Sequence, residues 1–575
     1  MNIFTSKNKL LLILAIILWS SQAWATTYYI DPTCSSTGDG TTTTCGTNGP
    51  FRKWAEVSWA AGNTYSQKGG TTAFEMITVG ASGTAGNVIT INSYGTGKAK
   101  LNGGITLDHG SWTANDPVPG VYSHGLSSSY NYPKLEDGVF LKEAKSSSCT
   151  NGNYARPYTA GGNKIYYKPT SGTPADHTFE EIRYIGINLV NNNYITIKNF
   201  SFEKFVSCIS GYDFKNDHSL INNNITITNN EFYNSALGIG LGNYGSSSSN
   251  NSIINNTFDY IQNSIELFSY GGCDQGNSLG NNSSAEIAHN TITHCSQVYT
   301  PSGPAVYDWA EVNTLLEDKE GIGVQDLANS SIHNNNIYGA CRGIFLFTCN
   351  RKETFNNNIY NNYIKTDRSC IVLFPDTTGI PGAKSMYNNN VYYNILIGGL
   401  YDLNSASIVL KNTKTPSTNY NNIFNNTIIP NGSGVSLWPS SDYFKIKNNI
   451  FYQTKNYPIV QSGNSSHIVY DYNLYNTYAN GLYVNGKAYT LTQWKALGEN
   501  YDAHSPALAD PLFTNAAGGM YALTPSSPAK WAGVNVGLTI DHAGNPAHDP
   551  PSIGAYEFAI PAPILLRIEE SIDTK

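Results

Sequence analysis

The residues that decide the fold form a recurring phrase, which reads ITIKNFSF at 195–202, ITITNNEF at 225–232 and FKIKNNIF at 444–451. In each copy an alternating apolar run leads into one or two asparagines and then into an apolar or aromatic residue. The closing residues of the ten copies are Phe202, Phe232, Phe258, Ile292, Ile337, Ile364, Val391, Ile428, Phe451 and Tyr475. Successive copies lie 23 to 45 residues apart, which predicts a solenoid with one coil per copy and loops in the longer intervals.

A second series of short runs keeps step with the first. It includes SCISGYD at 207–213, NSIELFS at 263–269, EGIGVQD at 320–326 and RGIFLFT at 342–348. Each run places a small residue before Ile or Val and then alternates, which is typical of a strand with one buried face. Two or more strands in a coil of about 25 residues leave no room for a helix. The sequence therefore predicts an all-β, single-stranded parallel β-helix of about ten or more coils.

The asparagines of the first phrase fall where the chain must turn between strands. Asn adopts the left-handed backbone conformation more readily than other non-glycine residues. Stacked Asn side chains can also hydrogen-bond to one another from coil to coil. We therefore interpret these asparagines as turn and ladder residues rather than as catalytic groups or glycosylation sites.

The first 25 residues have the features of a secretion signal. Lys7 and Lys9 precede an apolar run at 10–18, and Ala23-Trp24-Ala25 is a small-x-small cleavage site. Cleavage after Ala25 predicts a secreted or periplasmic protein without a membrane span, because the apolar run is too short to cross a bilayer. Export permits disulfides, and Cys34 and Cys45 flank one Gly/Thr-rich loop, so we predict that they pair.

Composition excludes some partners and favours others. The charged fraction is 13% and the net charge is −7, which argues against nucleic acid as a ligand. The chain contains 40 Tyr, 21 Phe and 9 Trp, and such amphipathic rings suit a sugar-binding surface. We expect a monomer with a polysaccharide as its partner.

Both ends of the mature chain resemble a known group of proteins. YYIDP at 28–32, SGTAGNVITI at 82–91 and IDHAGNPAHDPPSIGAYEF at 540–558 are similar to segments of secreted right-handed parallel β-helix proteins of the polysaccharide-lyase type, the pectate lyase-like superfamily. The resemblance implies a right-handed solenoid and activity on carbohydrate. The expected organisation is a signal peptide (1–25), an N-terminal cap with the first coils (26–110), an insertion (111–180), regular coils (181–480), a C-terminal cap (481–558) and a tail (559–575).

The second series also predicts which side chains face outward. Three positions after each buried Ile or Val, the sequence holds Tyr212, Gly242, Phe268, Gln325, Phe347, Phe374, Lys411, Trp438 and Ser462. Aromatic residues on a solvent face are either covered by a loop as a secondary core or form a groove in which sugars stack. On the second interpretation, the predicted substrate-binding residues are Phe268, Tyr270, Gln325, Phe347, Lys352, Phe374 and Trp438.

Charged residues cluster beside the same face. Cleavage of a uronate by β-elimination needs a cation to neutralise the carboxylate and a base to remove the C5 proton. Lys319, Arg342 and Arg351 are the predicted catalytic residues, and Glu266 and Asp326 are predicted ligands of a possible Ca²⁺. The same two carboxylates would suit an inverting glycoside hydrolase if about 6.5–9.5 Å apart. The same face is also compatible with a C5-epimerase or with a non-enzymatic glycan-binding adhesin.

Overall fold

The structure is a computed structural model that describes residues 25–107, 111–125, 134–140, 142–143, 153–155, 164–211, 221–244, 247–270, 281–295, 298–300, 303–305, 319–348, 352–375, 385–399, 405–411, 419–497 and 501–559. It is a right-handed parallel β-helix, as the sequence predicts. The proposed signal peptide and C-terminal tail fall almost wholly outside these ranges. Within them, no helix has the length and apolarity needed to cross a membrane.

The first face of the solenoid is a sheet of 13 parallel strands among the described residues, with one strand from each coil. Its strands are Thr27–Ile30, Thr64–Lys68, Ile89–Tyr94, Ile195–Lys198, Ile225–Thr228, Ser252–Ile254, Glu286–Ala288, Ser331–His333, Asn358–Tyr360, Asn390–Tyr392, Asn421–Phe424, Asp442–Lys447 and Ser466–Asp471. The strand Ile195–Lys198 pairs directly with Ile89–Tyr94. The chain therefore leaves the solenoid after its first coils and resumes it at the next coil position.

The other faces join into one sheet, because several strands bend and continue from one face to the next. Its strands in the described chain are Thr72–Ala73, Ile77–Thr78, Ala99–Asn102, Gly104–Thr106, Lys134–Glu136, Val139–Phe140, Phe179–Asn188, Phe200–Glu203, Phe205–Ser210, Glu231–Tyr244, Thr257–Tyr270, Thr291–Thr293, Glu320–Gln325, Asn336–Thr348, Tyr363–Pro375, Ile395–Gly398, Ala406–Leu410, Thr427–Pro430, Ser433–Leu437, Ile450–Phe451, Ile459–Gln461, Leu474–Tyr475, Leu482–Val484 and Lys487–Tyr489. A narrow fourth strip is formed by Ser248–Ser249, Asn282–Ser283, Leu327–Ala328, Thr354–Phe355 and Met386–Tyr387.

The remaining elements lie in the insertion and at the ends. An insertion sheet contains Thr113–Ala114, Tyr122–Gly125, Lys142–Glu143, Asn153–Ala155 and Lys164–Lys168. Two hairpins pair Val298–Thr300 with Gly303–Ala305 and Phe513–Asn515 with Met520–Leu523. In the ranges that the structure describes, the helical elements are an α-helix at Leu491–Lys495 and 3₁₀ turns at Trp54–Glu56, Pro174–Asp176 and Ala516–Gly518.

Stacked apolar columns fill the interior, and they fix the register of the outward side chains. Ile265 pairs with Ile322, and Ile322 pairs with Ile344. All three side chains are fully buried. A parallel column of Leu267, Val324 and Leu346 follows two positions later, as expected from the alternation. The register predicted from the sequence is confirmed.

A ladder of buried asparagines runs inside the turn between the first and second faces. Its members are Asn230, Asn256, Asn290, Asn335, Asn362, Asn394, Asn426, Asn449 and Asn473. In all but the last member, Asn473, Nδ2 donates to the Oδ1 of the next asparagine at 3.0–3.2 Å. The residue that immediately precedes each ladder asparagine has a positive φ, as at Asn229 and Asn448. The predicted turn-and-ladder role is confirmed.

The two ends of the solenoid are closed by local structure. The predicted disulfide joins Cys34 and Cys45 in the N-terminal segment, with Cα atoms 5.7 Å apart. At the other end, Trp494 of the α-helix is fully buried and donates to the carboxylate of Asp502 at 2.9 Å. The C-terminal segment then packs along the second face, where Leu523 contacts the cluster around Ile450.

Candidate functional site

The predicted outward row exists as a continuous line across the coils. Gln325 pairs with Phe347, and Phe347 pairs with Phe374. Further along, the amide of Trp438 donates to Leu410 at 2.9 Å, which keeps Trp438 in the same line. Parallel coils stack at about 4.8 Å, so the side chains of this row follow one another along the axis of the solenoid.

The row borders a groove of about 780 Å³ that runs across six successive coils. The described residues that line it are Arg342, Phe345, Arg368, Ser369, Val372, Phe374, Ser405, Ala406, Val409, Ser433, Ser436, Trp438, Asn456, Tyr457, Val460, Ser462 and Tyr483. They contribute hydroxyl, guanidinium and aromatic groups, and this described lining contains no Asp or Glu. A groove of this length and composition suits an extended, hydroxyl-rich ligand.

Two aromatic rings form the wall of the groove. Phe374 meets Trp438 edge to face with ring centroids 5.4 Å apart, and the ammonium of Lys411 lies 4.6 Å from the centre of the Phe374 ring. Trp438 is 45% exposed. By contrast, Gln325 in the same row is only 7% exposed. The row is thus covered near Gln325 and open near Trp438. The interpretation as a covered secondary core fits the first part, and the interpretation as an open groove fits the second.

Arg342 lies at one end of the groove and is held by two contacts. Its Nη1 donates to Glu320 Oε1 at 3.1 Å, and its guanidinium lies 4.7 Å from the centre of the Phe345 ring. The Arg342 side chain is 23% exposed and that of Glu320 is 8% exposed. Because Glu320 and Arg342 occupy paired positions on adjacent coils, strand register alone aligns them. The ion pair fixes a cation at the groove mouth.

The side chains of two glutamates, Glu320 and Glu266, approach each other beside this ion pair, over Gly323. A Cβ built on Gly323 would lie 2.2 Å from Glu320 Oε2 and 3.8 Å from Glu266 Cγ. Glu320 Oε2 and the Glu266 Cγ methylene are therefore at most about 6 Å apart, so the two side chains are neighbours on the outer surface of adjacent coils. Asn263 donates to Glu266 from the same strand. A side chain at position 323 would displace Glu320, so glycine permits this arrangement.

The structure does not bring Glu266 together with Asp326. Glu266 pairs with Gly323, three residues before Asp326, which is about 10 Å along an extended strand. Asp326 is fully buried at a turn with φ of 50°. The predicted pair therefore does not form a shared chelating site, because strand direction separates the two carboxylates. Across the described chain, the one group of three or more clustered Asp, Glu, His or Cys ligands is Asp31 with the disulfide-bonded Cys34 and Cys45.

The other predicted residues are scattered around the groove. The carbonyl of Lys319 accepts from the Arg342 amide at 3.2 Å, so Lys319 lies beside Arg342 on the adjacent coil. Phe268 lies one coil before this region, across from Gly242. Lys352 precedes the strand Thr354–Phe355 and is not among the residues that line the groove. Arg351 and the side chain of Tyr270 lie outside the described residues.

Sequence reasoning missed a second outward row, one position after each buried residue of the column. This row pairs Phe345 with Val372, Val372 with Val409, and Val460 with Tyr483. These side chains form the floor of the groove. The period-2 alternation that identified the first row also predicts this one, since positions one and three after a buried residue face the same way.

Comparisons with known proteins bear on the fold alone. No protein-family model and no curated protein matches the chain. Among solved structures, XylC in complex with xylose has a TM-score of 0.56 at 13% identity, covering 93% of this chain and 98% of XylC. At this identity the likeness shows the fold alone, a right-handed parallel β-helix. The alginate lyase AlyF-OU02 in complex with G6 aligns over 82% of this chain and 87% of its own at 13% identity, with a TM-score of 0.42. The pectate lyase Pel9A aligns over 93% and 98% at 13% identity, with a TM-score of 0.32.

Proposed function

We propose that this protein is an exported polysaccharide lyase that cleaves a uronate-containing glycan bound along the groove. The observation that carries the proposal is the lining itself: two guanidinium groups, Arg342 and Arg368, with hydroxyls and aromatic rings and no described carboxylate. Guanidinium groups bind carboxylates through paired, charge-assisted hydrogen bonds. Exposed rings can stack on the faces of the sugars.

In the proposed reaction, Arg342 neutralises the uronate carboxylate. Arginine is a cation in proteins, so Arg342 acts as the neutralising group rather than the base. A base then removes the C5 proton, the electron pair forms the C4–C5 double bond, and the C4–O bond breaks with protonation of the leaving oxygen. Lys319 is the proposed base, and Arg351 is proposed as a second neutralising cation.

A glycoside hydrolase is the second candidate, and one observation favours it. Glu266 and Glu320 converge over Gly323, and hydrolysis of a glycosidic bond uses two carboxyl groups. Glu320, however, is engaged by Arg342 at 3.1 Å and is mostly buried. Hydrolysis needs both carboxyl groups to reach the glycosidic bond or its water, and the ion pair with Arg342 already engages one of them. We therefore place the hydrolase second.

The nature of the product separates the two candidates. The protein is incubated with a panel of uronate polymers, and the ultraviolet absorbance of unsaturated uronosyl ends is followed together with the release of reducing ends. A lyase generates both signals in equal amounts. Release of reducing ends without absorbance would refute the lyase and support the hydrolase.

Variants test the role of the groove cation. Arg342→Ala alone would leave Glu320 buried without its ion-pair partner, and loss of one partner destabilises a buried pair by about 3–5 kcal/mol. The informative variant is therefore Arg342→Ala combined with Glu320→Gln, with Glu320→Gln alone as its control. We expect the double variant to lose turnover while the control retains most of it. Full activity in the double variant would place the site elsewhere.

A further inference from the structure

The groove is electrically asymmetric along its length. Its two described lining cations, Arg342 and Arg368, come from the first two of the six coils. The described lining of the last three coils, from Ser433 to Tyr483, forms the uncharged half of the groove and consists of serine, asparagine, valine, tyrosine and tryptophan. Lys411, on the third coil, directs its ammonium over the ring of Phe374 on the second coil. Positive charge is therefore concentrated toward one end.

The spacing of the coils indicates which sugar of a bound glycan would lie beside each part of the groove. Coils rise by about 4.8 Å, close to the length of one pyranose unit in an extended glycan. Six coils therefore accommodate a run of about five sugars. A polymer built of uronates alone would place a carboxylate beside nearly every coil. In the uncharged half, such carboxylates would lose water without gaining a cation, which is unfavourable.

The uncharged half instead offers groups that suit neutral sugars. Hydroxyls of Ser433, Ser436 and Ser462 line it together with the Val460 side chain. Trp438, 45% exposed, adds a ring on which a sugar face can stack. Hydroxyl groups of this kind exchange hydrogen bonds with sugar hydroxyls and do not neutralise a negative charge.

We propose that the substrate is a heteroglycan in which a uronate is followed by neutral sugars, rather than a homopolymer of uronates. The uronate binds beside Arg342 and Arg368, and the neutral units bind toward Ser436, Ser462 and Tyr483. This inference rests on the proposed function for the reaction, but its prediction about binding stands independently of any turnover.

Binding of size-matched oligosaccharides tests the proposal. Pentasaccharides prepared from polygalacturonate and alginate are compared by calorimetry with fragments of the same length from rhamnogalacturonan, in which galacturonate alternates with rhamnose. We expect the alternating fragment to bind at least about tenfold more tightly, because it carries about half as many carboxylates and so places fewer unpaired carboxylates against the uncharged half. Equal or tighter binding of the homopolymer fragments would overturn the inference. Absence of elimination on every polymer would instead count against the proposed function.

A charge-insertion variant supplies a second, independent test. Ser436→Lys places a cation in the uncharged half of the groove, where Ser436 pairs with Val409 and Val460 on the adjacent coils. Its matched control is Ser331→Lys, which adds the same charge on the first face of the solenoid. Ser436→Lys should tighten binding of the homopolymer fragments about tenfold, whereas the control should leave it unchanged. If both variants respond alike, the charge pattern of the groove does not select the ligand.

Discussion

Removing one amide from the asparagine ladder should destabilise the protein far more than removing a similar amide from its surface. In Asn394→Ala, the lost side chain accepts through Oδ1 from the backbone N–H of Asn362 at 2.9 Å and donates through Nδ2 to the Ile359 carbonyl at 2.9 Å. Asn394 is fully buried. Each buried group left without its partner costs about 1–3 kcal/mol, so these two groups together give a loss of about 2–6 kcal/mol.

The same coil supplies the control. Asn390 also belongs to a ladder, because its Nδ2 donates to Asn358 at 3.0 Å and its Oδ1 accepts from Asn422 at 2.8 Å. This second ladder lies on the outer surface, where Asn390 is half-buried and water can replace the lost bonds. Asn390→Ala should therefore lower stability by less than about 1 kcal/mol.

Urea denaturation followed by circular dichroism measures both variants, with the dependence on denaturant checked for equal slopes. Equal slopes are needed because long repeat arrays can unfold in parts. If Asn394→Ala and Asn390→Ala shift the unfolding midpoint by the same amount, burial of the ladder contributes nothing beyond its hydrogen bonds, and the reasoning fails.

The columns, the ends and the groove give four further expectations. Ile344→Ala should destabilise by about 2–5 kcal/mol in the same urea assay, and a change below about 1 kcal/mol would contradict its full burial. Replacing Cys34 and Cys45 by Ala should cost about 2–3 kcal/mol, given the 11-residue separation; peptide mapping that finds both thiols free in the native protein would refute the pair. Trp438→Ala should raise KM severalfold with a smaller effect on kcat, since stacking contributes mainly to binding; an effect confined to kcat would argue against stacking. Treatment with EDTA should leave turnover unchanged if Arg342 neutralises the carboxylate, whereas loss restored by added calcium would favour neutralisation by a calcium ion.

The fold could be predicted because its signal is local and repeated. A strand needs only alternation, and a coil needs only a turn residue at a constant position, so Ile265, Ile322 and Ile344 could be aligned from spacing alone. The outward direction of Phe347, Phe374 and Trp438 follows from the same alternation. Strand register carries this information because a shift by one residue would turn every side chain to the other face.

The site was harder to predict because exposure and partnership depend on neighbours distant in sequence. Gln325 has the same register as Phe347, yet it is nearly buried. Glu320 is the partner of Arg342 because the two residues pair across adjacent coils. Asp326 does not pair with Glu266, because the residue opposite Glu266 is Gly323, three positions earlier in the strand.

The asparagine ladder has a direction, and this has a consequence for how the molecule ends. Each side-chain amide donates a hydrogen bond to its neighbour on the C-terminal side. The last member must therefore donate to a group that acts only as an acceptor. Asn473 donates to Asp502, whose carboxylate also accepts from Tyr475, Trp494 and Ser505. The solenoid is therefore a polar chain with a dedicated stop. Duplicating a whole coil preserves every hydrogen-bond donor and acceptor of the ladder, whereas truncation before Asp502 leaves the Asn473 amide without its acceptor.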